Sequence, residues 1–239
     1  MTDTAPHVLV TGGARGIGAA IVEALEARGA LVVAHGRLDK DGVIGADLSD
    51  PEAADRLWDR ALARLDGRID VLVNNAGVFE TAGVEVSADH WRAVWSRTLQ
   101  INLQAAADLS RRAVLHWRER AAPGRLINIA SRAAYRGDSP EHWHYAASKA
   151  GMVAMTKSIA RGYAAEGLLA FAVCPGFVRT DMATDYLDAS TDESLRADIP
   201  LGKVAEPEEI ASLTTYLALD APASMTGAVL DINGASYVR

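Results

Sequence analysis

The feature that most constrains this 239-residue chain is a short apolar run that breaks into glycines and resumes as a helix pattern. His7 to Val10 ends in Thr11-Gly-Gly-Ala-Arg-Gly-Ile-Gly18, after which Ile17, Ile21, Val22 and Leu25 recur at helical spacing. That reads as strand, glycine turn, helix. The same alternation continues. Gly29 ends the helix and Leu31 to Ala34 makes a second strand; Asp47-Leu-Ser-Asp-Pro51 reads as a strand end and a helix start, with Asp50 as N-cap and Pro51 at the first helical position. Apolar strands follow at Ile69 to Val73, Leu126 to Ile129, Leu168 to Cys174 and Ala228 to Ile232. Helical patterns run on from Ser87 past Asn102, from Tyr145 to Glu166, and from Pro207 to Leu219. Alternating short strands and helices predict an α/β fold: a doubly wound parallel sheet covered on both faces, three layers in all. No repeat, low-complexity tract or linker divides the chain, so one domain over 1–239 is expected, with a mobile loop in the polar stretch that begins at Arg179.

Composition narrows the function classes. With 49% hydrophobic residues the chain can bury a sizeable core, and a net charge of -7 without a basic cluster argues against a nucleic-acid backbone as partner. Met1 to Pro6 is polar and no apolar run approaches a membrane span, which leads to the expectation of a cytoplasmic protein without a membrane partner. Cys174 is the one cysteine, in an apolar run before Pro175, and reads as a small core residue. His142 and His144 flank Trp143, but metal ligation needs further partners that the sequence does not show, so no metal is expected and both histidines read as surface or pocket-rim residues.

Two stretches carry chemistry. The glycines Gly12, Gly16 and Gly18 stand where a strand gives way to a helix, a place where backbone N–H groups and the positive helix end can hold a pyrophosphate. In Tyr145-Ala-Ala-Ser-Lys149 a phenol and an ammonium are four residues apart, on one helix face. A free tyrosine has a pKa of about 10. A neighbouring cation favours the phenolate, so Lys149 is expected to lower that value. Ser131, after the strand Leu126 to Ile129, can reach the oxygen that Tyr145 protonates.

Thr11-Gly12-x-x-x-Gly16-x-Gly18, Asn74-Asn75-Ala76-Gly77, Ser131 with Tyr145-x-x-x-Lys149, Pro175-Gly176 with Thr180, and the terminal Thr226 to Gly234 occur in the order of the short-chain dehydrogenases/reductases, which the chain resembles from Val8 to Gly234. The resemblance implies a Rossmann-like fold and hydride transfer between a nicotinamide cofactor and a secondary alcohol or ketone. It makes Tyr145 the general acid or base, Lys149 its partner and a ribose ligand, Ser131 the holder of the substrate oxygen, and Asn102 the residue that breaks its helix and anchors a water relay to Lys149. Cofactor residues implied are Gly12, Arg15, Gly16, Ile17, Gly18, Asp47 and Leu48 beside adenine, Asn75, Gly77, Pro175, Gly176, Val178 and Thr180, together with Tyr145 and Lys149. Substrate candidates are Ser131, Ala133, Tyr135, Trp143, Tyr145, Phe177, Met182 and Tyr186, with a mobile substrate loop around 177–205.

The second strand ends His35-Gly36-Arg37, with no acid in the usual place. An acid accepts from a ribose 2′-OH, whereas Arg welcomes a 2′-phosphate. Arg37 and Arg15 therefore favour NADP(H), and Asp39 keeps NAD(H) open as the alternative. Only nine residues separate Arg37 from Asp47, so the helix usual there in the family is missing or reduced to a turn. Phe171 stands where many family members have Asn. The reading is an oxidoreductase acting on a 3-oxoacyl thioester or a cyclic or sugar ketone, with a homodimer or homotetramer expected; a non-catalytic nucleotide-binding scaffold is the competing class.

Overall fold

The computed structural model describes residues 5–180 and 198–239. Seven strands form one sheet: β1 (His7–Val10), β2 (Leu31–Gly36), β3 (Val43–Gly45), β4 (Val71–Asn74), β5 (Gly124–Ile129), β6 (Leu168–Pro175) and β7 (Val229–Ile232). Their order is β3-β2-β1-β4-β5-β6-β7, and every pairing is parallel. The helices among the described residues are α1 (Gly16–Ala27), α2 (Ala53–Arg64), α3 (Ala88–Leu99), α4 (Ala105–Glu119), the short α5 (Ala133–Arg136), α6 (Trp143–Tyr163) and α7 (Pro207–Leu219).

Two hydrophobic layers fix this architecture. On one face Ile21 and Leu25 of α1 and Ile210 and Leu217 of α7 pack with Val8, Val10, Ile127, Phe171 and Val173; Phe171 is thus a core residue of this face. On the other, Leu57 and Trp58 of α2 and Leu109, Ala113 and Trp117 of α4 pack with Leu9, Ile44, Leu72 and Leu126. Trp117 lies flat over Gly124, where a Cβ would fall 2.0 Å from its ring, and its indole N–H donates to the Ile69 carbonyl at 2.7 Å. Strands buried on both faces explain the continuous apolar runs in the sequence.

The link between β2 and β3 is a turn, as the short spacing predicts. Two parallel strands normally need a long crossover. Here only Ala34, His35 and Gly36 pair with Val43, Ile44 and Gly45, so the chain returns a short distance. Gly45 accepts the turn against its backbone, where a Cβ would meet the Asp39 nitrogen at 2.1 Å. The start of α2 differs from the expectation: the helix begins at Ala53 with Glu52 in the cap position, because the Asp50 carboxylate accepts the Glu52 N–H at 3.0 Å and spends itself on a turn before the helix.

The long helical pattern from Ser87 is interrupted at Gln100–Gln104 by a π-helical turn joining α3 to α4. Asn102 is fully buried there. The strand order reverses between β1 and β4, and the crevice outside their carboxyl ends is where ligands bind in open α/β sheets.

Candidate active site

At the carboxyl end of β1, Thr11 and Asn75 lock the glycine turn to β4. The Thr11 hydroxyl accepts N–H bonds from Asn75 and Ala76 at 3.0 Å each, and the Asn75 amide donates to the carbonyls of Thr11 (3.0 Å) and Gly12 (3.1 Å). Gly18 sits so close to this turn that a Cβ would fall 2.0 Å from the Gly12 carbonyl. Helix α1 starts at Gly16 with no side-chain cap and no acid in its first turn. Its leading N–H groups and positive dipole end therefore face the crevice.

A cleft of about 470 Å³ opens above these groups. It brings together Gly12, Arg15, Gly16, Ile17 and Gly18 of the turn; Arg37, Asp47 and Leu48 at one end; Asn75 and Gly77 in the middle; and Ser131, Tyr145, Lys149, Pro175, Gly176, Phe177, Val178 and Thr180 at the other. An elongated cleft with a glycine cradle and an uncapped helix end at its centre fits a dinucleotide. Gly77 lies beside the Lys149 Nζ and the Asn102 Oδ1.

Ser131 follows β5, held in a turn in which its Oγ accepts the Ala133 N–H at 3.1 Å. Its hydroxyl stands beside the Tyr145 phenol, where it opposes the upward shift of that group. Lys149 is buried and donates to the Ile129 carbonyl at 2.8 Å, with the Met152 sulfur at 3.7 Å. Its Nζ lies 5.7 Å from the Tyr145 ring centroid. The electrostatics differ from the sequence expectation. Burial pushes the Tyr145 phenol up to about 12, against the opposing Ser131 hydroxyl, and burial pushes Lys149 down to about 8. The expected lowering of Tyr145 by Lys149 is corrected: with the ammonium turned to a backbone carbonyl, desolvation of the phenolate dominates.

Asn102 lies behind this wall. Its Oδ1 accepts the Val78 N–H at 2.8 Å, and its Nδ2 donates to the Val78 carbonyl at 3.0 Å and to Ser148 Oγ at 3.2 Å. Ser148 in turn donates to the Tyr145 carbonyl at 2.7 Å. The π-turn thus ties the Gly77-Val78 segment to the helix carrying Tyr145 and Lys149.

Other predicted residues are placed elsewhere. Ala133 is buried as the first residue of α5 and does not line the cleft. Tyr135 stacks on Tyr237, and its hydroxyl accepts from Arg239 at 2.8 Å, at the C-terminal tail. Trp143 is half exposed and packs edge-on against Trp91. Met182 and Tyr186 lie outside the described residues. Asp39 does not line the cleft: it accepts from Gly45 N–H at 2.9 Å and from Arg60 at 2.6 Å, facing β3 and α2. The two histidines are buried rather than at the rim, since His142 stacks on Phe79 at 3.8 Å and His144 bonds the Glu80 carbonyl at 2.8 Å. Cys174 is buried, with its thiol pushed up to about 11, so it is a poor nucleophile. Among the described residues no group of three or more metal-ligating side chains is arranged to hold an ion.

The sequence reading missed four residues. Phe79 lines the cleft and meets the Tyr145 ring edge-on at 4.8 Å. Arg97 lines the cleft near Asp47, paired with Glu80 at 3.3 Å. Arg132 is buried over the Phe177 ring and bonds Asp198 at 2.8 Å, with its other terminal nitrogen lacking a partner. His35 lines the cleft beside Gly12. Only His35 had a readable signal, its place next to Gly36-Arg37 and level with the glycine turn.

Known proteins are similar to this chain along most of its length. Residues 12–235 match the family model described as enoyl-(acyl carrier protein) reductase. The chain belongs to the short-chain dehydrogenase/reductase family. It is similar to Nodulation protein G of Rhizobium sp. (strain N33), 36% identical over 97% of this chain and 96% of that protein. It is 34% identical to the 3-oxoacyl-[acyl-carrier-protein] reductase FabG of Escherichia coli (strain K12), over 96% of each. Acetoacetyl-CoA reductase of Shinella zoogloeoides is 35% identical over 96% of this chain and 97% of its own. As a member of this family the chain is an oxidoreductase acting on carbonyl or hydroxyl groups. No helix among the described residues is long and apolar enough to cross a membrane.

Proposed function

We propose that this oxidoreductase is a single-domain, NADP(H)-dependent ketone reductase whose substrate is a 3-oxoacyl thioester, reduced to the 3-hydroxyacyl thioester. The observation that carries the reading is Ser131, Tyr145 and buried Lys149 gathered in one cleft that also presents Arg15 and Arg37. The bound nicotinamide supplies the hydride. Gly16, Ile17 and Gly18 would hold the pyrophosphate through the open end of α1, Asp47 and Leu48 would bracket adenine, and Lys149 would hold the nicotinamide ribose.

Ser131 and Tyr145 then orient the substrate carbonyl by two hydrogen bonds to its oxygen, and Tyr145 gives its proton to that oxygen as the alcohol forms. A phenol held at about 12 is fully protonated at neutral pH, as an acid for reduction must be. Phe79 and Phe177 supply apolar walls beside the reacting carbon. Asn102 holds Val78 and α6 in register, and a water relay to Lys149 through this residue remains part of the proposal.

NADP over NAD is supported by Arg37 lining the cleft while Asp39 is engaged with Gly45 and Arg60. Arg37 also lies 3.5 Å from Asp47, so a 2′-phosphate would compete with that carboxylate for it. The thioester assignment draws on the relatives' names, and a cyclic or sugar ketone is the alternative. We place the protein in the cytoplasm as a homodimer or homotetramer, to be tested by sedimentation. The deciding experiment follows nicotinamide absorbance with NADPH or NADH and acetoacetyl-CoA, crotonyl-CoA or a cyclic ketone. Oxidation of NADPH with acetoacetyl-CoA is expected. Turnover of crotonyl-CoA alone would replace ketone by enoyl reduction, and turnover with NADH alone would overturn the cofactor assignment.

A further inference from the structure

His35 closes β2 and is 3% exposed, yet it lines the cleft. Its ring makes two directed bonds: Nδ1 accepts the Gly12 N–H at 3.1 Å, and Nε2 lies 2.9 Å from the Ala46 carbonyl. Its own carbonyl accepts the Gly13 N–H at 2.7 Å. A peptide N–H is only a donor and a carbonyl only an acceptor, so the neutral ring with its hydrogen on Nε2 satisfies both partners at once. A protonated ring would set N–H against the Gly12 N–H. Burial lowers the imidazole from its ordinary value.

The two partners belong to the two walls of the cofactor's adenosine half. Gly12 opens the phosphate turn, and Ala46 leads directly into Asp47 and Leu48. In this chain the second wall is short. Strand β3 is three residues long and no helix joins β2 to it; the Ala46 N–H donates to the Gly36 carbonyl at 2.9 Å, while Arg60 and Asp39 hold Gly45 from the outer side, away from the phosphate turn.

We propose that His35 is a cofactor-positioning residue, whose imidazole fastens the phosphate turn to the adenine-side wall at the separation a dinucleotide requires. The proposal rests on the dinucleotide reading above and extends it to a residue which that reading leaves without a role. The ring stands in for the bracing that a crossover helix between β2 and β3 would give.

The test compares wild type, His35→Ala and His35→Asn as full-length protein. Asparagine places an amide oxygen close to the Nδ1 position and keeps an acceptor for Gly12, whereas alanine removes both bonds. NADPH titration by nicotinamide fluorescence should show affinity weakened about tenfold in His35→Ala, the loss of one to two buried hydrogen bonds, with most of it recovered in His35→Asn. Cofactor KM should rise in His35→Ala while kcat at saturating NADPH holds. Long-range ¹H–¹⁵N spectra of the wild type should show the hydrogen on Nε2 and none on Nδ1. Equal NADPH affinity in His35→Ala and wild type, or an Nδ1-protonated ring, would overturn the proposal. Wild-type protein that binds neither NADPH nor NADH would instead overturn the dinucleotide reading, and this one with it.

Discussion

Replacing Asn102 by alanine tests whether the π-turn braces the site. The side chain satisfies both backbone groups of Val78, accepting its N–H at 2.8 Å and donating to its carbonyl at 3.0 Å, and it is fully buried. Alanine leaves the Val78 N–H and C=O without these partners. Each orphaned buried group costs about 1–3 kcal/mol. Val78 borders the cleft, so a water can enter the space left by the amide and return part of that cost. The third bond, to Ser148, adds little, because Ser148 keeps its donation to the Tyr145 carbonyl. The expected loss is therefore about 2–4 kcal/mol, the sum for two groups less one hydration.

Urea denaturation followed by tryptophan fluorescence reads this as a lower midpoint at unchanged slope, since the surface exposed on unfolding is the same. The destabilisation should be accompanied by a loss of turnover, because Val78 follows Gly77 opposite Lys149. A loss below about 1 kcal/mol would show that water replaces the amide fully, and the argument that Asn102 braces the site would fail.

Three further perturbations probe separate parts of the cleft. Gly18→Ala puts a Cβ 2.0 Å from the Gly12 carbonyl, a backbone atom held by Asn75, so a loss of about 3 kcal/mol or more in thermal or chemical unfolding is expected; near-normal stability would refute the close-approach reading. Arg37→Ala should weaken NADPH about five- to tenfold and leave NADH unchanged, a modest figure because the exposed guanidinium is screened by solvent; equal effects on both cofactors would refute the 2′-phosphate contact. With Lys149 at about 8 and Tyr145 at about 12, reductive kcat/KM should be level at neutral pH and fall as pH rises through about 8, where Lys149 loses its charge while Tyr145 still holds its proton. A profile that stays flat through that region would mean the Lys149 charge is not used.

Much of the scaffold was legible because it depends on local pattern. The runs Leu168 to Cys174 and Pro207 to Leu219 mark a strand buried on both faces and a proline-opened helix, and the structure has β6 and α7 there within a residue. The spacing from Arg37 to Asp47 foretold the missing helix. What could not be read depends on contacts between distant segments. Tyr135 was assigned to the substrate wall from its place between Ser131 and Tyr145, but Tyr237 and Arg239, a hundred residues on, fold back and hold its ring and hydroxyl. Trp143 turns to Trp91 on α3 for the same reason. The Asp50 cap was read from a preferred pattern, and a turn using the same carboxylate moved the helix start by two residues.

The charge state of the Tyr145 and Lys149 pair shows why spacing alone could not settle the chemistry. Four-residue spacing places the two side chains on one face, and from that the cation was expected to draw the phenol toward ionisation. The fold instead buries Lys149, leaves Tyr145 partly buried at the cleft wall and turns the ammonium to the Ile129 carbonyl, so one cause, desolvation, moves the two groups in opposite senses. Ionising a phenol of pKa about 12 at neutral pH costs roughly 7 kcal/mol. An alcohol oxidation that begins from the phenolate would have to meet that cost before any hydride moved. A carbonyl reduction starts with the phenol protonated and leaves the same phenolate once the proton has passed to the substrate oxygen, so both directions share that cost. Phe79 packs against the Tyr145 ring and β5 lies beneath the lysine, so packing rather than spacing sets the charge state from which either direction of the reaction starts.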